Sequence, residues 1–139
     1  MLLENKTVLI MGIRNKWSIA WGAARSAADN GARVIFTFNG EDNRGKIEEL
    51  ISEIPNSKAY TCDASSDESI KEAFEKIKKD NGKLDGILHS IAHANTEDLR
   101  NDFITTSREG FAHANDISAY SFVAVSRIAN ELDILNEGA

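Results

Sequence analysis

The segment from Gly12 to Gly22 carries residue types that could hold a diphosphate. Gly12 ends an apolar run, and Ser18 begins a stretch whose apolar residues recur every three or four positions, as on a helix. A helix that begins there would present free amide groups and the positive end of its dipole at Ser18 and Ile19. The segment lacks the Gly-x-Gly-x-x-Gly fingerprint, so a packed turn without a ligand is the alternative.

Polar residues follow the second predicted strand, where dinucleotide domains contact the adenosine ribose. A carboxylate at this place binds a ribose 2′-hydroxyl, whereas a basic group binds a 2′-phosphate. The sequence here is Asn39-Gly40-Glu41-Asp42, which favours NADH over NADPH. Arg44 and Lys46 are close in sequence and keep NADPH open, and a solvated loop without a ligand is the other alternative.

Two further strand ends supply candidate cofactor contacts. Asp63, with Ala64 beside it, ends the third predicted strand, and its carboxylate could accept from an adenine amino group or cap the next helix. The stretch Ser90-Ile91-Ala92 ends the fourth, where small residues would let a cofactor lie against the backbone. His89 and His93 lie on a strand and the loop after it, so their spacing predicts no metal site.

Four strands and four helices are expected to position these residues. Near-continuous apolar runs predict parallel strands at 7–11, 33–38, 58–63 and 84–92. Helical periodicity predicts helices at 18–30, closed by Gly31, at 44–54, from a capping box in 65–68 onward, and at 107–132. Residues 95–102 are expected to form a polar loop or a short helix.

The same periodicity predicts which helix faces are buried. The first helix should bury Ile19, Ala20, Ala23, Ala24 and Ala27, and the third Ile70, Ala73, Phe74 and Ile77. The last should bury Phe111, Ala114, Ile117, Ser118, Ser121, Phe122, Val125, Ile128, Ala129 and Leu132. Tyr120 falls inside this apolar pattern, which predicts a packing role for it.

The alternation of strands and helices predicts an α/β fold. Parallel strands joined by right-handed crossovers form a doubly wound sheet of the Rossmann type, with the spatial order three, two, one, four. The chain contains no internal linker or repeat, so it forms one domain or a piece of one. Ligands of such sheets lie beyond the carboxyl ends of the strands, at the switch point between the first and fourth strands.

Composition excludes several classes of protein. The 139 residues carry a net charge of −6 with Lys and Arg scattered among Asp and Glu, which argues against a nucleic-acid surface. No apolar run approaches the roughly 20 residues of a membrane span, and the start lacks the order of a signal peptide, so a cytoplasmic location is expected. Cys62, the only cysteine, is predicted to be a small buried residue.

Taken together, these residues resemble the NADH-dependent enoyl-acyl-carrier-protein reductases of bacterial fatty-acid synthesis, a branch of the short-chain dehydrogenase family. The matching stretches run in order along almost the whole chain: 12–22, 35–38, Cys62-Asp63, 89–92, 108–111 and 116–122. Another short-chain dehydrogenase is a weaker interpretation. The usual Gly-x-x-x-Gly-x-Gly loop of that family fails here at Lys16 and Ser18.

The resemblance implies a set of site residues. By it, Gly12, Ile13, Ser18 and Ile19 would hold the pyrophosphate and nicotinamide half, Asn39 the adenosine ribose, Asp63 and Ala64 the adenine, and Ser90, Ile91 and Ala92 the middle of the cofactor. Ala94 and Leu99 would line the acyl pocket. The implied reaction is hydride transfer from NADH to a trans-2-enoyl thioester of acyl-carrier protein, with the enolate stabilised by a tyrosine and the cofactor held by a lysine.

One family feature is missing from the sequence. The tyrosine and lysine, six residues apart, follow a fifth strand that is expected to begin just beyond Gly138, whereas Tyr60 and Tyr120 have Asp67 and Arg127 at the lysine position. Residues 1–139 are therefore interpreted as the N-terminal part of a single Rossmann domain, truncated after the fourth strand and its long helix, with no catalytic residue and no turnover alone.

The open fourth-strand edge and the long helix predict self-association. A non-catalytic nucleotide-binding or self-associating module derived from a short-chain dehydrogenase is the alternative function.

Overall fold

Four parallel strands form the centre of the chain. The computed structural model describes residues 1–139 and places β1 (Thr7–Met11), β2 (Arg33–Phe38), β3 (Lys58–Thr61) and β4 (Gly86–His89) in the order β3-β2-β1-β4. In the register, Met11 lies beside Thr37 on one side and beside His89 on the other. The predicted doubly wound sheet and its strand order are confirmed.

Six α-helices connect and cover the strands. They are α1 (Ile19–Asp29), α2 (Arg44–Ile51), α3 (Asp67–Asn81), α4 (Thr96–Arg100), α5 (Arg108–Asn115) and α6 (Ser121–Glu131). A π-helical turn, Asp116–Tyr120, joins α5 to α6, so the predicted helix at 107–132 is a helical rod with a π turn inside it. Residues 95–102 adopt the short-helix alternative. None of these helices has the length and apolar character needed to span a bilayer.

Side chains alternate between the two faces of the sheet and build two apolar cores. Leu9 and Met11 point to one face, where α3 and α6 supply Phe74, Ile77, Val125 and other buried residues. Ile10 points to the opposite face, where α1 and α2 pack. Both faces of the central strands are covered, which explains why their sequences are near-continuous apolar runs.

Strand β4 is shorter than predicted because its neighbour turns away. The Ser90 amide still donates to the Met11 carbonyl at 3.2 Å, but β1 ends at Met11 and the chain turns at Gly12. Beyond His89 there is no strand in register to pair with, so the predicted continuation to Ala92 is wrong. Strand β3 likewise ends at Thr61 rather than at Asp63.

A parallel bridge links Leu84, just before β4, to the segment that follows α6. The Leu84 amide donates to the Ile134 carbonyl, and the Asn136 amide donates to the Leu84 carbonyl, both at 2.8 Å. These bonds form an isolated parallel bridge between Leu84 and Leu135. A single bridge is not a strand, so the fifth strand expected just beyond Gly138 stays a prediction.

The cap of α3 differs by one residue from the predicted capping box. The Ser66 hydroxyl, not that of Ser65, accepts from the Ser69 amide at 3.2 Å. Ser69 occupies the position where a capping box has Glu or Gln, and its hydroxyl accepts from the Asp63 amide at 2.8 Å. A serine cap at the start of this helix was predicted, but the capping residue is Ser66 rather than Ser65.

Four helix residues that periodicity predicted to face inward are exposed. Ile19 is 84% exposed, whereas Trp21 is buried against Phe36 with ring centroids 6.4 Å apart. Phe111 and Phe122 are also exposed, because the buried stripe passes through Gly110 and Ser121 and the next residue on a helix projects about 100° away. The predicted inward positions of Ile19, Phe111, Ser118 and Phe122 are wrong.

Candidate functional site

The turn after β1 brings two strand ends into close contact. Gly12 has a φ of +89°, and a Cβ at this position would overlap the carbonyl oxygen of Ser90 at the end of β4. The amides of Gly12 and Ile13 donate to the Thr37 carbonyl at 3.1 and 3.4 Å, which ties the turn to β2. Only glycine suits this conformation and this spacing. The backbones at the ends of β1 and β4 are therefore in direct contact at the switch point of the sheet.

The Ser18 side chain shapes the loop between this turn and α1. Its hydroxyl accepts from the amides of Arg14 at 3.2 Å and Asn15 at 3.1 Å. Its own amide donates to the Asn15 carbonyl at 3.0 Å. The prediction that Ser18 offers a free amide is therefore wrong, because the loop before the helix folds back and uses that donor.

The first turn of α1 does leave amides without an internal partner. Neither Ile19 nor Ala20 donates a backbone hydrogen bond within the chain. Ala20 is fully buried, so its amide is covered, whereas Ile19 is exposed. With no acidic residue in this first turn, the positive end of the helix dipole at Ile19 is uncompensated and suits an anion.

The side chain of Ile13 does not face this region. It is 1% exposed and packs in the core under α1 and α2. Any ligand contact by Ile13 is therefore limited to its backbone, whose amide is already bonded to Thr37.

The tip of β2 is polar and lies beside the glycine turn. Asn39 is exposed, and its carbonyl accepts from the Asn43 side chain at 3.0 Å. The 3₁₀ turn Glu41–Asn43 follows, with Glu41 paired to Arg44 at the start of α2. In the sequence, Glu41 favours NADH and Arg44 favours NADPH. In the structure the two side chains form an ion pair with each other.

Asp63 forms a local turn and does not cap α3. Its carboxylate accepts from the Ser65 amide at 2.9 Å and from the Ser65 hydroxyl at 2.6 Å. The cap belongs to Ser66, so the helix-cap interpretation of Asp63 is wrong. Asp63 is exposed and Ala64 half-buried at the carboxyl edge of the sheet, where both were expected.

A hydrogen-bonded pair fixes the end of β4 to the long helix. His89 Nε2 and Ser121 Oγ are 2.7 Å apart, and Ser121 Oγ donates to the Ile117 carbonyl at 2.6 Å. Because the serine proton is used, the histidine donates from Nε2. Burial lowers the pKa of His89, which favours the neutral ring, and Phe122 packs edge-on against it at 5.4 Å. Ser90, Ile91 and Ala92 follow directly from this anchored residue.

A second serine clamps the loop after β4. The Ser118 hydroxyl accepts from the His93 amide at 3.0 Å and donates to the His93 carbonyl at 3.1 Å. The His93 ring lies edge-on to His113 at 5.4 Å, but no group of three potential metal ligands exists in the chain. The sequence placed Ser118 on a packing stripe and contained no signal for this clamp.

The segment that carries Ala94 and Leu99 also carries Asp98, whose carboxylate packs against Gly110. Leu99 is 73% exposed on α4, and Ala94 is half-buried. Asp98 Oδ2 fills the place that a Cβ of Gly110 would take, and this buried oxygen has no hydrogen-bond partner. The contact joins α4 to the first turn of α5, where the helix dipole offsets part of the negative charge.

Both tyrosines are bonded within the chain. The Tyr60 hydroxyl donates to Asp80 Oδ2 at 2.8 Å, and burial raises its pKa. The Tyr120 hydroxyl accepts from Arg127 at 3.1 Å, and Tyr120 is half exposed rather than packed. Tyr60 lies on β3 and Tyr120 ends the π turn, so neither lies on the glycine turn.

The predicted positions therefore meet at one edge of the sheet, as the topology requires. Residues 12, 39, 63 and 90 each directly follow, or come shortly after, the carboxyl ends of the four strands. The supporting residues Asp98, Ser118 and Ser121 were not recognised as such from sequence. Their partners are distant in sequence, so no local pattern identifies them.

Comparisons with known proteins agree with this architecture. A family model described as Enoyl-(Acyl carrier protein) reductase matches residues 12–139. The NADPH-named enoyl-(acyl-carrier-protein) reductase FabI of Staphylococcus aureus is 48% identical over 132 residues, covering 94% of this chain and 52% of that protein. The NADH-named FabI of Enterococcus faecalis is 44% identical over 139 residues, covering 100% and 54%.

Solved structures show the same fold. The Bacillus cereus enoyl-acyl carrier protein reductase with NADP+ and indole naphthyridinone superimposes with a TM-score of 0.91 at 42% identity, over 98% of this chain and 53% of that chain. The NADH-named reductase of Aquifex aeolicus gives a TM-score of 0.90 at 38% identity, over 99% and 53%. The chain thus spans about half the length of the relatives it matches, and it belongs to the enoyl-(acyl carrier protein) reductase family.

Proposed function

We propose that residues 1–139 are the N-terminal part of a single dinucleotide-binding domain of an NADH-dependent enoyl-acyl-carrier-protein reductase. The observation that carries this proposal is the unpartnered amide of exposed Ile19, at the start of α1 and beside the glycine turn at the switch point. An anion at this place gains both a donor and the helix dipole.

The proposed cofactor contacts follow the edge of the sheet. Gly12 and Ile13 with Ser18 and Ile19 hold the pyrophosphate and nicotinamide half, and Asn39 lies at the adenosine ribose. Asp63 and Ala64 take the adenine, and Ser90, Ile91 and Ala92 take the middle of the cofactor. The Ser18 hydroxyl acts indirectly, because it organises the loop through the Arg14 and Asn15 amides.

The proposed substrate is a trans-2-enoyl thioester of acyl-carrier protein. The exposed side chain of Leu99 and the neighbouring Ala94 supply apolar surface for an acyl chain. When bound, the nicotinamide supplies a hydride. The chain has no tyrosine followed at the family spacing by lysine, so we expect no turnover from residues 1–139 alone.

Titration with NADH, followed by cofactor fluorescence, tests the proposal. We expect saturable binding that is weakened in Ser18→Ala, because the loop loses the acceptor for two amides. Ser26→Ala is the matched control, since Ser26 is exposed on α1 and its hydroxyl makes no hydrogen bond within the chain. Absence of saturable binding at millimolar NADH would refute cofactor binding by this chain.

The second candidate function is that of a self-associating module. The observation that favours it is a set of exposed apolar side chains. Leu88 on β4 and Phe111, Phe122 and Val123 on the helical rod are all exposed. A second copy of the chain would cover this surface through the rod or the β4 edge. We expect a dimer or larger species in light scattering that Val123→Glu disrupts and Ser26→Glu does not. A monodisperse monomer would contradict it.

The proposed location is the cytoplasm, with no nucleic-acid or membrane partner. The net charge of −6 supports the first exclusion, because a phosphate backbone would be repelled. The enoyl-acyl-carrier-protein reductases to which the chain is similar support acyl-carrier protein as the partner that carries the substrate. Co-sedimentation with anionic vesicles or with duplex DNA at low salt would count against this assignment.

A further inference from the structure

The Arg44 guanidinium is almost fully occupied by acceptors from its own chain. Nε and one terminal nitrogen donate to the two oxygens of Glu41, at 2.6 and 2.8 Å. The other terminal nitrogen lies 3.4 Å from both a Glu48 oxygen and the Ala59 carbonyl. The guanidinium carbon is also 5.2 Å from the centroid of the Phe38 ring. Arg44 is thus held in one place by several weak contacts and one two-pronged pair.

The charge of this pair is balanced at neutral pH. The hydrogen bond from Arg44 holds the pKa of Glu41 below its usual range, and the bond to Glu41 raises the pKa of Arg44. Asp42, next in the loop, forms no ion pair or side-chain hydrogen bond and adds a net negative charge. The loop after β2 therefore presents anionic character even though it contains an arginine.

We expect this loop to meet the ribose of a bound dinucleotide, because the segment after the second strand does so in dinucleotide-binding sheets. It begins at Asn39, two residues past Thr37, whose carbonyl accepts from the amides of the glycine turn. A 2′-phosphate at this place needs an available cation, whereas a 2′-hydroxyl is suited by a carboxylate. Arg44 could bind the 2′-phosphate of NADPH, but its guanidinium already donates to Glu41.

We propose that Glu41 determines the cofactor preference of this chain by occupying Arg44. The proposal rests on the dinucleotide-binding function proposed above and adds to it a residue and a mechanism. With Glu41 in place, Arg44 is neutralised and NADH is preferred. Without Glu41, the same guanidinium is free to pair with a 2′-phosphate by the two-pronged geometry it now uses for the carboxylate.

The decisive experiment is separate titration of NADH and NADPH into the wild-type chain and three variants. We expect Glu41→Ala to raise the affinity for NADPH relative to NADH about tenfold, the effect of one charge-assisted interaction. Asp42→Ala removes the same charge from the same exposed loop but leaves the pair intact, so we expect a change of less than about twofold after screening by salt. Glu41→Ala combined with Arg44→Ala should lose the gain.

The outcomes separate this proposal from the broader one. If NADH binds and the ratio of affinities is unchanged in Glu41→Ala and in the more conservative Glu41→Gln, the role of Glu41 is refuted while cofactor binding stands. An equal shift in Asp42→Ala would also refute it, because loop charge alone would then explain the effect. If neither cofactor binds to any form, both proposals fail.

Discussion

The carbonyl oxygen of Ser90 occupies the place where a Cβ of residue 12 would be. This contact joins the ends of β1 and β4 at the point where the order of the sheet reverses. It makes the absence of a side chain at Gly12 a requirement of the fold itself, before any ligand is considered.

Gly12→Ala is therefore expected to destabilise the chain. A left-handed residue with a Cβ costs about 1–3 kcal/mol, and the overlap with Ser90 adds to that cost. Urea denaturation measures the change in the free energy of unfolding. Gly22→Ala is the control, because a Cβ there meets nothing within 4 Å and a helical alanine is favoured by about 1 kcal/mol. Similar effects of the two substitutions would contradict this account of Gly12.

Gly110→Ala is expected to detach α4 from α5, because a Cβ would displace the Asp98 carboxylate. Hydrogen exchange should then accelerate at the Thr96–Arg100 amides while the sheet amides stay protected. Asp98→Ala removes the obstructing oxygen, so Gly110→Ala should cost less in that background. Strictly additive effects of the two substitutions would show that the side chains do not interact.

The stability of the chain should depend on the protonation of His89. Burial lowers its folded-state pKa below the ordinary value of 6.5, so the unfolded chain binds more protons just below that pH. The stabilising contribution is thus fully present above about pH 6.5 and is lost as the pH falls through the lower folded-state value. We expect a shallower loss below neutral pH in His89→Gln. Parallel profiles for the two proteins would contradict the prediction.

Cys62 should be chemically inert while the chain is folded. It is buried, and burial raises the pKa of its thiol to about 12. Because the thiolate is the reactive form, labelling by a disulfide reagent near neutral pH should be slower than in urea by about a hundredfold or more. Equal labelling rates in the folded and unfolded chain would contradict the burial of Cys62 after β3.

The positions of the strands were predictable because both faces of the sheet are covered. The runs 7–11 and 33–38 agree with the observed strands to the residue, and the alternation of elements determined the order β3-β2-β1-β4. Strand ends were less predictable, since a strand stops where its neighbour turns. Where a strand ends thus depends on its partner as well as on its own sequence. Strand β4, for example, ends at His89 because β1 ends at Met11.

Features that depend on tertiary contact were not predictable from local pattern. Helical periodicity does not distinguish Gly110 from Phe111 as the centre of a buried stripe. Ser18 was correctly placed before α1, yet its amide is bonded by the loop, which no spacing rule indicates. The resemblance to a family supplied most of the candidate site, and the geometry then separated backbone contributors such as Ile13 from exposed ones such as Ile19.

The most direct test of the central claim is an amide-resolved NMR titration of the ¹⁵N-labelled chain with NADH. We expect saturable shifts that are largest at the Ile19 amide, with smaller shifts at the Gly12 and Ser90 amides. The amide of Lys58, at the amino end of β3 and away from the proposed site, should not shift. Shifts confined to other regions, or no saturable shift at Ile19, would contradict a dinucleotide site at the start of α1.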